Sequence, residues 1–215
     1  DLYYTLGAQY RMKLKDDLSM TVGAVWSPTL SMASKTDIFA STFMITTAGV
    51  ETPRDTLIET RGYTGRIKIP VSAGGGLSLE RQGKWLIGAD YKWQKWEDFE
   101  AFGRKDSLVN SWQLNVGGEV IPDIEKYSNY LARVHYRLGF NYGKTYLHLR
   151  GQDLHEYAIS FGFGLPLRGM KTMLNLGGVY GMRGTTTSGL IRESYFKVVI
   201  GFSIYERWFV KRKYF

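Results

Sequence analysis

The sequence predicts an all-β protein, an antiparallel transmembrane β-barrel of which about nine or ten strands are present. Three observations support this fold class. Apolar and polar residues alternate with a period of two, short connections alternate with long ones, and each alternating segment is at least nine residues long, against ~5–6 for strands of soluble proteins. A tilted strand crosses a bilayer with ~9–11 residues, and outer-membrane barrels combine short turns at one end with long loops at the other.

The segment 131–142 illustrates the pattern, because Val134, Leu138 and Phe140 would occupy one face and Arg133 and Arg137 the other. A soluble β-sandwich also has one apolar face, but strands this long and aromatic are uncommon there. Nine segments alternate in this way: 2–13, 18–27, 66–80, 85–94, 107–116, 131–142, 157–165, 172–182 and 196–204.

Composition narrows the possible functions. The chain of 215 residues suits one barrel, and residues 1–215 are treated as one domain. The chain has no cysteine and three histidines, so we expect no thiolate or multi-histidine metal centre and no cofactor. The longest apolar run, 176–182, is far shorter than the ~20 residues of a membrane helix. No signal peptide opens the chain, so any secretion signal is expected to lie outside it.

The connections orient the barrel. Tight turns are predicted at 15–17, 81–83 and 168–170, and placing them in the periplasm also puts the link at 120–129 there. The longer links are then extracellular: 33–63, 98–106, 143–155 and 184–190. The longest, at about 33–63, is treated as a long extracellular loop, although its stretch 36–47 has some strand character.

Nine strands cannot close as an antiparallel barrel, because the first and last would run in the same direction. Bacterial single-chain barrels have even strand numbers, and an open edge in lipid leaves backbone groups unpaired. We therefore expect the chain to be the C-terminal portion of a longer barrel, unless a strand within 36–63 or a tenth strand at 208–215 completes it.

Several segments resemble a known family: Trp85–Tyr91, Gly117–Pro122, Tyr136–Phe140, Phe161–Leu167, Tyr195–Lys197 and Arg207–Phe209. Over residues 63–213 the chain resembles the FadL-like outer-membrane transport family (the long-chain fatty acid transporter type), and most closely its divergent Bacteroidetes branch. The resemblance implies a fourteen-stranded barrel with an N-terminal hatch that passes long-chain fatty acids and other hydrophobic compounds. It also implies an alternative, because several members of this branch serve as integral subunits of secretion or barrel-assembly machines.

The polar faces of the predicted strands carry charges of both signs, as any polar lumen would. Arginines there could also attract an anionic head group. Nucleic-acid binding is not expected, because the basic residues are dispersed over many strands and do not form one solvent-facing patch. The lumen-facing candidates are Arg66, Lys68, Asp90, Lys92, Arg133, His135, Arg137 and Lys197.

Aromatic residues on the apolar faces match the girdles found at membrane interfaces. The girdle candidates are Trp26, Trp85, Trp93 and Trp112. Trp96 and Tyr3 are the aromatic residues placed on the inner side, where a ring could stack on a substrate. The glycine-rich stretch 73–76 lacks the Gly-Lys-Ser/Thr of a phosphate loop and is interpreted as a bend in a strand.

No catalytic motif is visible. The polar groups nearest to a base–nucleophile arrangement are His148, His155, Asp153 and Ser160, which we interpret as ordinary loop residues. The protein is therefore not expected to be an enzyme. The expected location is the bacterial outer membrane, in contact with its lipids and lipopolysaccharide. Two functions remain, transport of a hydrophobic ligand and a structural role beside other subunits of an outer-membrane complex, and transport is narrowly preferred.

Overall fold

The computed structural model describes residues 2–47, 49–126, 128–167 and 172–204. Apart from three short 3-10 turns at Trp96–Asp98, Tyr130–Arg133 and Thr187–Gly189, its regular structure is β-strand. Within those ranges, no helix is long and apolar enough to cross a membrane.

Nine strands form one antiparallel sheet, which confirms the all-β fold and the nine strands expected in this chain. In their order across the sheet they are β1 (Leu6–Lys15), β2 (Leu18–Ser27), β5 (Ser72–Arg81), β6 (Trp85–Gln94), β9 (Ser111–Val120), β10 (His135–Leu149), β11 (Gln152–Pro166), β12 (Met173–Gly184) and β13 (Arg192–Ser203). Each strand pairs with the next strand along the chain that belongs to this sheet. The result is the meander of an up-and-down barrel wall.

A second sheet occupies the region expected to be a loop. The strands β3 (Leu30–Ile45) and β4 (Glu51–Ile69) form a long hairpin, and β7 (Glu100–Ala101) and β8 (Arg104–Lys105) extend it at one edge. The stretch 33–63 is therefore paired strand and not an irregular loop, and the strand character of 36–47 is real. A hairpin was not evident from the sequence because apolar residues lie on both faces of it and three bulges interrupt its register.

Two prolines separate the hairpin from the large sheet. The β2–β5 pair ends at Ser27 opposite Ser72, and the β3–β4 pair begins at Leu30 opposite Ile69. Pro28 and Pro70 stand in the two gaps, where a residue without a backbone N–H cannot extend the ladder. The predicted strand 66–80 is thus two strands, β4 and β5, divided at the fully buried Pro70.

Other predicted bounds shift by a few residues. The link expected at 143–155 is mostly strand, because β10 and β11 continue to a tight turn at Arg150 and Gly151, both with positive φ. The tight turns near 15–17 and 81–83 are present, and the link at 184–190 contains a 3-10 turn. The turn expected at 168–170 and the tenth strand at 208–215 lie outside the described residues.

The distribution of buried and exposed side chains in this sheet is the reverse of that in a water-soluble protein. Within the described residues the buried apolar set is small, consisting of Ile121, Val134, Leu154 and Ala158 together with Pro70. Large apolar side chains instead stand outward along the strands, with exposed fractions of 66% for Leu138 and 68% for Val198. A water-soluble monomer rarely leaves so continuous an apolar surface uncovered, so the natural solvent of this face is lipid.

Close strand packing at Gly143 gives a first testable prediction. A Cβ added there would lie 2.6 Å from the carbonyl oxygen of Trp112 and 3.2 Å from Cα of Gln113, both on the paired strand β9. Because backbone atoms of a ladder cannot move independently, we expect Gly143→Ala to lower the free energy of unfolding by about 1–2 kcal/mol. Urea titrations of the protein refolded in lipid vesicles measure this.

The matched control is Gly177→Ala, also within a strand of the large sheet. Its added Cβ would meet only the carbonyl oxygen of Phe161, at 3.5 Å, an ordinary contact distance. Equal losses from the two variants would show that glycine flexibility, not the close approach at Gly143, sets the cost.

Candidate functional site

The outer face of the large sheet has aromatic residues at both ends of an apolar band. Trp26, Trp93 and Trp112 fall in one row of the register, and Trp85 stands at the opposite end of β6. The step from Trp85 to Trp93 spans ~27 Å along the strand at ~3.4 Å per residue, or ~21 Å along the barrel axis at a strand tilt of ~40°, against the ~25 Å height of the apolar band in outer-membrane barrels. The assignment of the four tryptophans to membrane girdles stays a prediction.

The opposite face of the sheet is polar and rich in glycine. It carries five of the residues expected to face the lumen, namely Asp90, Lys92, His135, Arg137 and Lys197, each on the strand face that alternates with the apolar one. Glycines from adjacent strands line a concavity of about 890 Å³ on this face, next to Asp90 and Lys92. An inner wall built in this way leaves space for another segment or a ligand.

A network of hydrogen bonds centred on Glu119 organises the inner face toward the turn end of the strands. The carboxylate accepts from Nδ1 of His135 at 2.9 Å and from Nε of Arg137 at 2.6 Å. Arg137 also donates to Oδ1 of Asn175 at 2.7 Å, and Asn175 donates to Ser203 at 3.0 Å. The network joins strands β9, β10, β12 and β13, so it fixes their relative positions on the polar side.

Three expected lumen residues lie elsewhere. Arg66 and Lys68 belong to β4 of the hairpin sheet, where Arg66 donates to Oγ of Ser31 at 2.9 Å, because Pro70 ends that strand before the large sheet begins. Arg133 lies in the 3-10 turn that precedes β10, because the strand predicted at 131–142 begins only at His135, four residues later. The lumen assignment of these three residues is therefore corrected to the hairpin sheet for Arg66 and Lys68 and to the 3-10 turn for Arg133.

The polar groups considered for catalysis do not converge on a nucleophile. Asp153 accepts from Nδ1 of His148 at 2.6 Å and from Nζ of Lys144 at 3.2 Å, and it lies beyond the level of Trp112 in the register. The hydrogen bond from His148, followed by that from Lys144, holds the pKa of Asp153 below its usual range. Ser160 lies further along β11, opposite Gly139. The arrangement is a cross-strand clamp at the β10–β11 turn.

No three His, Cys, Asp or Glu side chains within the described ranges are grouped so as to hold a metal ion.

The distal part of the β3–β4 hairpin is the most exposed apolar feature outside the large sheet. Strand β3 alone is ~50 Å long at ~3.4 Å per residue. Its bulges fall in β4, so β3 keeps a strict alternation that places Phe39, Phe43 and Ile45 on one face. Their exposed fractions are 66%, 54% and 67%. We call these three residues the distal face.

Sequence reasoning did not find this surface. The distal face has the alternation of a strand, but its partner strand contains Thr, Glu, Asp and Pro residues that are typical of a loop. The distal face becomes evident only from the pairing of β3 with β4. The two strands are joined by a turn in which Gly49 donates to the carbonyl of Thr46 at 2.8 Å.

Comparisons with known proteins agree with an outer-membrane barrel. The family model BamG matches residues 1–215, the whole chain. A solved structure, the CymD monoaromatic hydrocarbon channel, is similar with a TM-score of 0.54 and 15% identity over 94% of this chain. No curated protein matches by sequence.

The chain spans about half the length of the channel, 51% of it. At this identity the likeness concerns the fold, and it supports the expected barrel type. The matched family bears a different name from the FadL-like transporters that the sequence resembles, and that finer assignment stays a prediction. The relatives are a channel and a family associated with the outer membrane, which agrees with the expected location.

Proposed function

The chain belongs to the BamG family, and from that premise we propose that it is an integral outer-membrane subunit of a multi-protein machine. Its barrel strands anchor it in the membrane, and the β3–β4 hairpin is its extracellular docking element. The observation that carries the proposal is the exposed distal face of a hairpin that has no layer packed on it within the described residues.

An unsupported hairpin of this kind needs a partner for physical reasons. A two-stranded ribbon is marginally stable in water by itself. Here the ribbon continues far beyond its short pairing with β7 at Ile67 and Lys68 of β4 and the adjoining contacts of Phe102 with Tyr63 and Arg66. Leaving Phe39, Phe43 and Ile45 in water loses about 1.5–3 kcal/mol of possible burial energy for each side chain. Contact with another subunit would recover that energy and order the ribbon.

Charge indicates what the partner surface looks like. Residues 37–61 contain four acidic and two basic residues, a net charge of −2, on a chain whose net charge is +8. Glu51 and Glu59 lie opposite Ile45 and Phe39 in the register, so carboxylates border the distal face. Electrostatic complementarity then favours a partner that presents apolar side chains ringed by lysine or arginine.

A shortened hairpin tests the proposal. Residues 36–63 are removed and Lys35 is joined to Thr64, its register partner, through an Asn-Gly turn. We expect the barrel to fold normally, because β2 pairs directly with β5 without the hairpin. We also expect the protein subunits that co-purify with the native protein from gently solubilised outer membranes to be lost. Quantitative mass spectrometry measures their stoichiometry.

The control shortens the 185–190 link, which lies at the same end of the sheet, and it should keep all partners. A lone barrel in the native preparation, or a full set of partners on the shortened hairpin, would contradict the docking role.

Transport of hydrophobic compounds such as long-chain fatty acids is the second candidate. The observation in its favour is the concavity of about 890 Å³ on the polar face, whose glycines leave the wall open. It predicts lipid-like ligand bound to the purified barrel in the absence of partner subunits. Extraction of the native protein with organic solvent and analysis of the extract distinguishes the two candidates.

A further inference from the structure

The outer face of the large sheet carries basic side chains at the end opposite the tight turns near 15–17 and 81–83. On β11 the last outward apolar residue is Tyr157, and His155 is the next outward residue. On β13 the last one is Phe196, followed by Ser194 and Arg192. Both His155 and Arg192 are exposed. They stand on the lipid side of the wall, just beyond its apolar part.

Their depth follows from strand geometry. Six residues separate Arg192 from Val198, and six separate His155 from Phe161, near the middle of the outward apolar run of each strand. At ~3.4 Å per residue and a strand tilt of ~40°, six residues rise ~16 Å along the barrel axis. The apolar band of an outer-membrane barrel is ~25 Å tall, so it ends ~12 Å from its middle. Both side chains therefore reach the level of the lipid head groups.

The two positions are also close to each other across the sheet. Arg192 pairs with Gly184 of β12, and the β11–β12 ladder ends at Glu156 opposite Arg183, one residue short of His155. His155 and Arg192 are thus two strand spacings apart, ~10 Å at ~4.8 Å per strand. Because Gly184 between them has no side chain, the space between the imidazole and the guanidinium is open.

Aromatic packing fixes the ring of His155. It stacks on Tyr142 with centroids 5.9 Å apart and an interplanar angle of 13°, and Tyr142 in turn meets Trp112 edge-on at 5.3 Å. The hydroxyl of Tyr142 lies 3.4 Å from Nδ1 of His155. When Nδ1 accepts this hydrogen bond, Nε2 carries the proton and is a donor. The ring is held before a ligand arrives, which reduces the entropy lost on binding.

Two arginines at this end keep a charge that no described carboxylate balances. Arg192 forms no ion pair or hydrogen bond with any residue in the described ranges. Arg150, in the β10–β11 turn, donates to the carbonyls of Ser188 and Gly189 at 2.9 and 3.4 Å, in the link between β12 and β13. These carbonyls are neutral, so they position the guanidinium of Arg150 without cancelling its charge.

The nearby carboxylates are engaged or face the other way. Asp153 points outward, but it already accepts hydrogen bonds from a lysine and a histidine of β10. Glu156 and Glu193 directly follow His155 and Arg192 along their strands, so they point to the inner face. The outer side of the wall therefore has an excess of positive charge at head-group level, where an anion would bind.

We propose that the outer wall over β11–β13 binds a phosphate group of lipopolysaccharide, held between His155 and Arg192 over Gly184, with Arg150 further from the membrane. A guanidinium binds phosphate through two parallel hydrogen bonds. A lipid is favoured over an acidic protein surface, because the cations stand directly above an apolar wall on which acyl chains can pack. The site does not depend on the docking role of the hairpin.

The test uses the native protein purified from outer membranes and exchanged into a non-ionic detergent. Native mass spectrometry compares diphosphoryl lipid A with its dephosphorylated form, and inorganic phosphate is added as a competitor. We expect diphosphoryl lipid A to bind and the dephosphorylated lipid to bind about fivefold more weakly or less, the effect of one cation at a charged membrane surface. Inorganic phosphate should not displace the lipid, because it lacks the acyl chains.

Substitutions locate the site. Arg192→Gln should weaken diphosphoryl lipid A about fivefold, and Arg192→Lys should retain part of the affinity. His155→Phe keeps a ring stacked on Tyr142 but removes the donor, and it should also weaken binding. The matched control is Lys197→Gln, which removes an inward cation of the same strand, over the Tyr195 ring, and should change nothing.

Equal binding of the two lipids, or unchanged affinity in folded Arg192→Gln and His155→Phe variants, would overturn the proposal. Displacement by inorganic phosphate would assign the site to free phosphate instead, and an equal loss in Lys197→Gln would show general attraction by a basic protein. Heat-modified electrophoretic mobility verifies that each variant is a folded barrel. Co-purifying subunits are not part of the readout, so this result and that of the shortened hairpin are independent.

Discussion

Val198→Arg is expected to lower the free energy of unfolding by about 2–4 kcal/mol, the cost of a cation at mid-bilayer depth on the lipid side of a barrel. Val198 lies in the middle of β13, between Phe196 and Ile200 on the apolar face, and is 68% exposed. Because its surroundings in the membrane are hydrocarbon, an arginine there would lose its hydration without gaining a partner. Urea unfolding in lipid vesicles, followed by tryptophan fluorescence, measures the loss.

The neighbouring residue gives the control. Val199 points to the opposite side of β13, in the register row of Gly177 and Arg137, and lines a glycine-rich concavity on the inner face that Arg137 also lines. Val199→Arg places the guanidinium on the inner face, away from lipid, and a loss well below that of Val198→Arg is expected. If the two variants lost similar amounts of unfolding free energy, or if Val199→Arg lost more, the assignment of the inner and outer faces would be contradicted.

Glu119→Gln should lower the free energy of unfolding by about 1.5–3 kcal/mol, the range for hydrogen bonds that involve charged groups. The carboxylate accepts from His135 and Arg137 at once, and its side chain is only 26% exposed. An amide of the same shape cannot accept both bonds with equal strength, and it leaves the Arg137 guanidinium without its counter-charge. The loss is again measured by urea unfolding in vesicles.

Glu80→Gln is the matched control, because Glu80 and Glu119 flank Leu86 in the same register row. Glu80 accepts from Arg11 at 2.7 Å, but the arginine is 61% exposed and the pair is solvated. Exposed ion pairs contribute ~0–1 kcal/mol, so Glu80→Gln should cost less than 1 kcal/mol. If Glu119→Gln also lowered the free energy of unfolding by less than ~1 kcal/mol, water would be replacing the hydrogen bonds of Glu119 at little cost, which would contradict the prediction.

Strand identity followed from the sequence wherever one face is lipid-facing and the other polar. In β10, Tyr136, Leu138 and Phe140 alternate with Arg137 and Gly139, and the structure pairs this strand in the expected order. The register is specified as well, because a slip of one residue would move every apolar side chain to the polar face. The same reasoning identified the inner-face residues Asp90 and Lys92 and the outer-face residues Trp93 and Trp112.

The hairpin was not predictable in this way. Along β3, the successive residues Ile38 and Phe39 lie on opposite faces, and both are apolar and exposed. The sequence pattern therefore does not indicate which face of β3 is the inner one. The pairing of β3 depends on contacts with β4 that lie up to 39 residues away in the chain, as in the pair Leu30–Ile69, and the hydrogen bond from Gly62 to Asp37 spans 25 residues. Bulges shift the register three times, and a pattern with period two cannot locate such shifts.

By itself the sequence determined the fold class, the nine strands of the large sheet and the face on which most of their side chains stand, because lipid on one side and polar groups on the other impose a strict alternation on every strand. Only the tertiary structure decided that residues 30–69 form a projecting hairpin, that Glu119 joins His135 and Arg137, and that Trp96 packs against Tyr146. These features come from strands that are distant in the sequence, and their meeting depends on pairing and register across the sheet, which local periodicity does not encode.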